Sequence, residues 1–173
     1  MAAGLPELID PLSWAASAHR LQGRLSVSAM PRLMAALHAE DGSGAVEIDL
    51  QCGIDDQGIR YIRGHIDAVV TVPCQRCLQD MQLPLHTEMA LGVVASPAEA
   101  DYLPEPYEAL VVKTRTVPLA SIVEDELLLV APLVAMHDTP GCRADAEESD
   151  EHVGDEAGTV KNPFAVLKIL KKS

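Results

Sequence analysis

A chain of 173 residues with 48% hydrophobic content can fill one core of ordinary size. One Trp, one Phe and three Tyr leave that core to aliphatic side chains and exclude the aromatic stacking platforms of the common single-strand RNA modules. Thirteen Lys and Arg against 26 Asp and Glu, a net charge of −13, disfavour unspecific attraction to phosphate backbones or anionic membranes.

In chain order, Asp10 as N-cap and Pro11 at the first helical position predict a short helix from Pro11 to Ala18. Leu21, Arg24 and Val27 lead into a strand, and Pro31 to Ala39 reads as a second helix that stops before the turn cluster Asp41-Gly-Ser-Gly44. Val46, Ile48 and Leu50 alternate with Glu47, Asp49 and Gln51, the period of a half-buried antiparallel strand. After the turn Asp55 to Gly58, residues Ile59 to Pro73 predict a long strand with a bend at Gly64. Met81 to Val94 is again extended, Ser96 to Tyr107 reads as a loop, and Leu110 to Val117 as a further short strand. Pro118 to Val130 carries Leu119, Ile122, Val123 and Leu127 at helical spacing and ends before Pro132. The expected fold is α+β: an antiparallel, partly barrel-like sheet packed by one main helix, with short N-terminal helices.

Charge divides the chain into three parts. Residues 1–142 hold eight bases and 19 acids and read as one domain. Residues 143–160 hold Arg143 against seven acids and only two large aliphatics, the composition of a disordered linker. Residues 161–173 hold four lysines and no acid. In that last part Asn162 can cap and Pro163 open a helix in which Phe164, Leu167 and Leu170, or Val166 and Leu170, form an apolar stripe, which predicts a docking tail.

Cys74-Gln-Arg-Cys77 has the spacing of a zinc knuckle placed between two strands, and His137 with Cys142 can supply the remaining two ligands of a zinc site. The alternative is that no metal binds and the thiols pack the end of a hairpin. A redox dithiol is the weaker reading, because it belongs at a helix N-terminus and the flanks here are strands. Cys52 reads as a core residue. Glu124 and Asp125 lie opposite the apolar stripe of the main helix and read as a solvated face, while Glu126 borders the stripe and can make one specific contact. No nucleophile motif, phosphate-binding glycine loop or HExxH is present, so no catalytic residue is assigned and an enzyme is not expected. Four cysteines are too few for a disulfide scaffold, no signal-peptide pattern opens the sequence, and the longest charge-free apolar run contains Pro132. A cytoplasmic protein without membrane contact is expected.

Four segments in order resemble the YceD family of bacteria and plastids, the large ribosomal RNA subunit accumulation proteins. They are Asp67 to Cys77, Leu103 to Glu108, Val123 to Asp138 with Cys142, and Asn162 to Leu167. The resemblance implies a role in large-subunit ribosome biogenesis, in which loss of the protein lowers the yield of 23S ribosomal RNA, and no known catalytic activity. An acidic body then favours binding of a basic ribosomal protein or processing factor. The residues expected to take part are Arg76, Glu124, Glu126, Asn162, Pro163, Phe164 and Leu167. The alternative is a zinc-stabilised module touching ribosomal RNA directly through a local basic patch of Arg60, Arg63, Arg76, Lys113 and Arg115.

Overall fold

Strands of alternating character need one dry face, and helices of this chain supply its cover. The computed structural model describes residues 5–40, 42–139 and 142. The Asp10 carboxylate accepts from the Ser13 N–H at 3.0 Å, and helix α1 runs Pro11–Ala16. Strand β2 (Arg20–Ser26) and helix α2 (Pro31–Leu37) follow, as expected. The three long strands are β3 (Gly44–Ile54), β4 (Arg60–Pro73) and β5 (Asp80–Val94). Helix α4 runs Leu119–Val130.

The period-two pattern sorts the side chains. Val46, Ile48, Leu50 and Cys52 of β3 and Ile62, Ile66, Val70 and Val72 of β4 are buried on one face of the sheet with Leu85, Met89 and Leu91 of β5. Helices α1 and α4 pack on this sheet, and α2 packs against α4. Gly64 in β4 answers to a close approach of backbones rather than to a break in the strand, which runs unbroken from Arg60 to Pro73. Gly64 pairs with Leu50, and a Cβ there would lie 2.0 Å from the Asp49 carbonyl oxygen, so only glycine lets the two backbones approach this closely.

The sheet differs from the expectation in three ways. Its order is β2-β3-β4-β5-β6, the last strand being Glu108–Val111, and among the described residues β2 and β6 have no partner at their outer edges, so it is open rather than a closed barrel. Strand β6 (Glu108–Val111) runs parallel to β5, so the sheet is mixed rather than wholly antiparallel. The crossover through residues 95–107, which includes the one-turn helix α3 (Pro97–Ala100), brings the chain back to the same end of the sheet before β6 begins. The single strand expected from Leu110 to Val117 is two pieces: β6, and β7 (Val117–Pro118), which pairs with β1 (Leu8–Ile9) in a separate two-stranded ladder.

Helix α4 also departs from its reading at one residue. Glu124 is only 3% exposed and therefore does not belong to a solvated face. Asp125 does: it is exposed and pairs with the half-exposed Arg32 at 2.7 Å. Asp125→Ala should cost under about 0.5 kcal/mol in urea unfolding, as an exposed ion pair does. Among the described residues no helix is long and apolar enough to cross a membrane.

Candidate metal centre

Pro73 ends β4, and the chain reverses through Cys74–Gln79 before β5 begins. The Leu78 N–H donates to the Cys74 carbonyl at 2.8 Å, and the Cys74 N–H to the Gln79 carbonyl at 2.9 Å. Leu78 adopts a left-handed φ of +58°, a conformation non-glycine residues adopt at a cost and which here closes the turn directly after Cys77. Helix α4 stops at Val130 because Ala131, preceding Pro132, is forced into extended backbone. The following segment then crosses to the turn, where the Gln75 N–H donates to the Ala135 carbonyl at 2.8 Å.

This arrangement gathers the four predicted ligands. Cys74 Sγ lies 3.5 Å from Cys142 Sγ, and Cys77 Sγ lies 3.4 Å from His137 Nδ1. All four donor atoms lie within 4.8 Å of one another. A tetrahedral zinc with sulfurs at about 2.3 Å sets its sulfurs about 3.8 Å apart, so the cluster needs adjustments of only a few tenths of an ångström to about 1 Å. Cys74 and Cys142 are buried, and Cys77 and His137 are partly so. Three thiols and one imidazole saturate a tetrahedral ion, leaving no position for a reacting water; a metal held here is structural rather than hydrolytic.

The electrostatics favour one thiolate and oppose a second. Burial alone would raise the Cys74 thiol, but the backbone N–H groups of Cys77, Arg76 and His137, with the Cys142 thiol, pull it down to about 5. The His137 N–H approaches Cys74 Sγ at 3.5 Å. Cys142 is pushed up to about 11, first by burial and then by the neighbouring Cys74 and Cys77 sulfurs. A divalent cation among them would remove the like-charge opposition. Cys52, buried in the core and away from this cluster, is pushed up to about 11 by burial alone, as befits an inert core thiol.

The other predicted site residues separate into three groups. Arg76 belongs to the centre: its Nη1 donates to the Cys142 carbonyl at 3.0 Å, and its Nη2 lies 3.8 Å from Met136 Sδ. Glu124 faces inward, its Oε1 accepting from the backbone N–H groups of Arg32 at 2.6 Å and Leu33 at 3.1 Å. Glu126 is buried at the edge of the apolar stripe, as its position indicates, and makes no hydrogen bond or ion pair among the described residues. Asn162, Pro163, Phe164 and Leu167, with the linker and tail boundaries, lie outside the described residues.

The five bases offered as one patch do not converge. Arg63 and Arg76 are separated by most of β4, whose residues advance roughly 3.3 Å each. Arg63 stacks on the Tyr61 ring with its Cζ 4.7 Å from the centroid, and Arg115 pairs with Asp10 at 3.0 Å. Among the described residues, the inward role of Glu124 is a feature the sequence does not reveal; its signal is a helix at Pro31 that lacks a capping side chain.

The family model described as "Large ribosomal RNA subunit accumulation protein YceD" matches residues 62–171, a span that includes all four donors. A relative from Haemophilus influenzae, named Large ribosomal RNA subunit accumulation protein YceD, is 32% identical over 170 residues, covering 97% of this chain and 97% of its own. No solved structure matches. The family match over more than half of the chain and the relative aligned along nearly all of it agree: the chain belongs to the YceD family.

Proposed function

We propose that this chain is a non-enzymatic factor of large-subunit ribosome biogenesis, needed for accumulation or processing of 23S ribosomal RNA, and that it works by binding a basic ribosomal protein or processing factor. The family's name supplies the process. The observation that carries the mechanism is charge. Residues 1–142 hold eight bases against 19 acids, and several described arginines are already committed: Arg20 to Asp49, Arg24 to Glu47, Arg32 to Glu124 and Asp125, Arg115 to Asp10. RNA affinity rests on unpaired Lys and Arg, whereas an acidic surface speeds and orients encounter with a basic protein.

On this reading zinc at Cys74, Cys77, His137 and Cys142 is a strut that fixes the β4–β5 turn to the segment after α4. It would supply rigidity and no chemistry. Residues 1–142 form the folded body, residues 143–160 a tether, and residues 161–173 a second contact in which Phe164 and Leu167 anchor and the lysines add attraction.

The test is affinity capture of the tagged full chain from growing cells, with and without RNase, read by protein and RNA identification. A defined basic ribosomal protein or processing factor should remain after RNase and fall when residues 161–173 are deleted. Loss of every partner on RNase treatment would instead favour direct RNA contact.

A further inference from the structure

An open groove of about 620 Å³ is lined by residues of all five strands of the main sheet and by Glu126 of α4. Its charge is uneven. Four acids (Asp49, Glu88, Glu108 and Glu126) stand against two arginines (Arg20 and Arg63), an excess of two negative charges. Arg20 is spent on Asp49 at 2.8 Å, and Arg63 is held over the Tyr61 ring. Glu88, Glu108 and Glu126 make no hydrogen bond or ion pair among the described residues.

Glu126 is the telling member. It is 8% exposed, yet it lines the groove, and among the described residues no fully enclosed side-chain oxygen lacks a partner, so its carboxylate is not sealed away from the groove. Burial, with the nearby Glu108 and Asp125 carboxylates, holds its carboxyl above the usual range. A largely buried carboxylate that has no cation partner costs stability in the free protein. Ala90 and Pro106 supply apolar surface in the same groove, suited to the methylene stem of a long basic side chain.

We infer that this groove is the docking site for an arginine side chain of a basic polypeptide, with Glu126 as its buried counter-ion and Glu88 and Glu108 at the rim. Arginine is the better fit than lysine, because a planar guanidinium can face more than one carboxylate at once and is less strongly hydrated. The inference deepens the reading that the partner is a basic protein and rests on it for the identity of the occupant.

The experiment is an NMR titration of the ¹⁵N-labelled full chain with acetyl-Gly-Arg-Gly-amide, its lysine counterpart and the neutral citrulline counterpart. The amides of Gly64, Ala90, Glu108 and Glu126 should shift with the arginine peptide, less with lysine and not with citrulline. Glu126→Gln should weaken the arginine peptide at least about fivefold, while Asp101→Asn, which removes an exposed charge outside the groove, should change it less than about twofold. The thermal midpoint of E126Q should equal or exceed that of the parent, since a residue retained for the fold would lower it. Equal effects of E126Q and D101N, or shifts spread evenly over acidic surfaces, would overturn the site. Tighter peptide binding by about fivefold after deletion of residues 161–173 would overturn the assignment to a partner, giving the groove to the chain's own tail. If cellular capture yields no basic protein while the peptide still binds through Glu126, the proposed function has failed and the groove has not.

Discussion

Protein purified without chelator should carry about one equivalent of zinc per chain, and stripping it should lower the thermal midpoint by about 8–16 °C. The estimate follows from linkage: a ligand present at about a thousandfold above its dissociation constant stabilises by about 4 kcal/mol, and each kcal/mol moves the midpoint of a chain this size by about 2–4 °C. The strands themselves need no metal, since their core of Val46, Ile48, Ile62, Ile66 and Val70 is fully dry. The loss should therefore be local at first, loosening the β4–β5 turn from the segment that carries His137 and Cys142; apart from the ligands' own contacts, the two are joined by the Gln75–Ala135 backbone bond and by the Arg76 side chain, which reaches the Cys142 carbonyl and Met136. Cys77→Ser should abolish stoichiometric zinc, whereas Cys52→Ala, which alters a core thiol outside the cluster, should leave it intact. Cobalt(II) in place of zinc should show the visible bands of a tetrahedral thiolate site. Zinc below about one-tenth of an equivalent, with midpoints insensitive to chelator, would return the four side chains to plain packing.

Much of this centre is legible in the sequence alone, and the reason is local chemistry. Two thiols at knuckle spacing between strand patterns fix their own geometry, because a turn of four residues leaves the sulfurs few places to go. His137 and Cys142 carried a weaker signal: only the extended backbone forced before Pro132 returns the chain across the sheet to meet the turn. The long strands were legible for the same reason, since alternation at Val46, Ile48 and Leu50 states which face is dry. Features decided by partners distant in sequence were not. The parallel direction of β6 depends on how the crossover through residues 95–107 returns, and β1 and β7 are two-residue strands that exist only through each other. Glu124 and Glu126, either side of an exposed Asp125, reverse their sequence readings: the residue read as solvated is fully used inside the protein, and the one expected to make a specific contact has no partner among the described residues.

Glu124→Ala should destabilise the body by about 2–4 kcal/mol, several times the cost of Asp125→Ala beside it. Helix α2 begins at Pro31, which has no N–H, and its N-cap Met30 offers no side-chain acceptor. The Met34 N–H is satisfied by the Met30 carbonyl at 3.1 Å, which leaves the N–H groups of Arg32 and Leu33 open in the first turn. Both donate to Glu124 Oε1, while Oε2 accepts from Arg32 Nε at 2.8 Å. A single carboxylate on α4 thus caps α2 from 91 and 92 residues away and ties the two helices together. Alanine leaves two donors without partners next to the fully buried Leu33, at about 1–3 kcal/mol for each buried group left unsatisfied, less where water can enter. Glu124→Gln keeps an acceptor for the backbone pair but loses the ion pair with Arg32, so it should fall between, at about 1–2 kcal/mol. Arg32→Ala removes a half-exposed cation while the cap persists, and should cost about 1 kcal/mol or less. Urea unfolding of the four variants, with unchanged m-values, measures the order Glu124→Ala, Glu124→Gln, Arg32→Ala, Asp125→Ala. A Glu124→Ala protein within about 0.5 kcal/mol of the parent would mean that water reaches the first turn of α2 and that the cap carries no weight in holding α2 to α4.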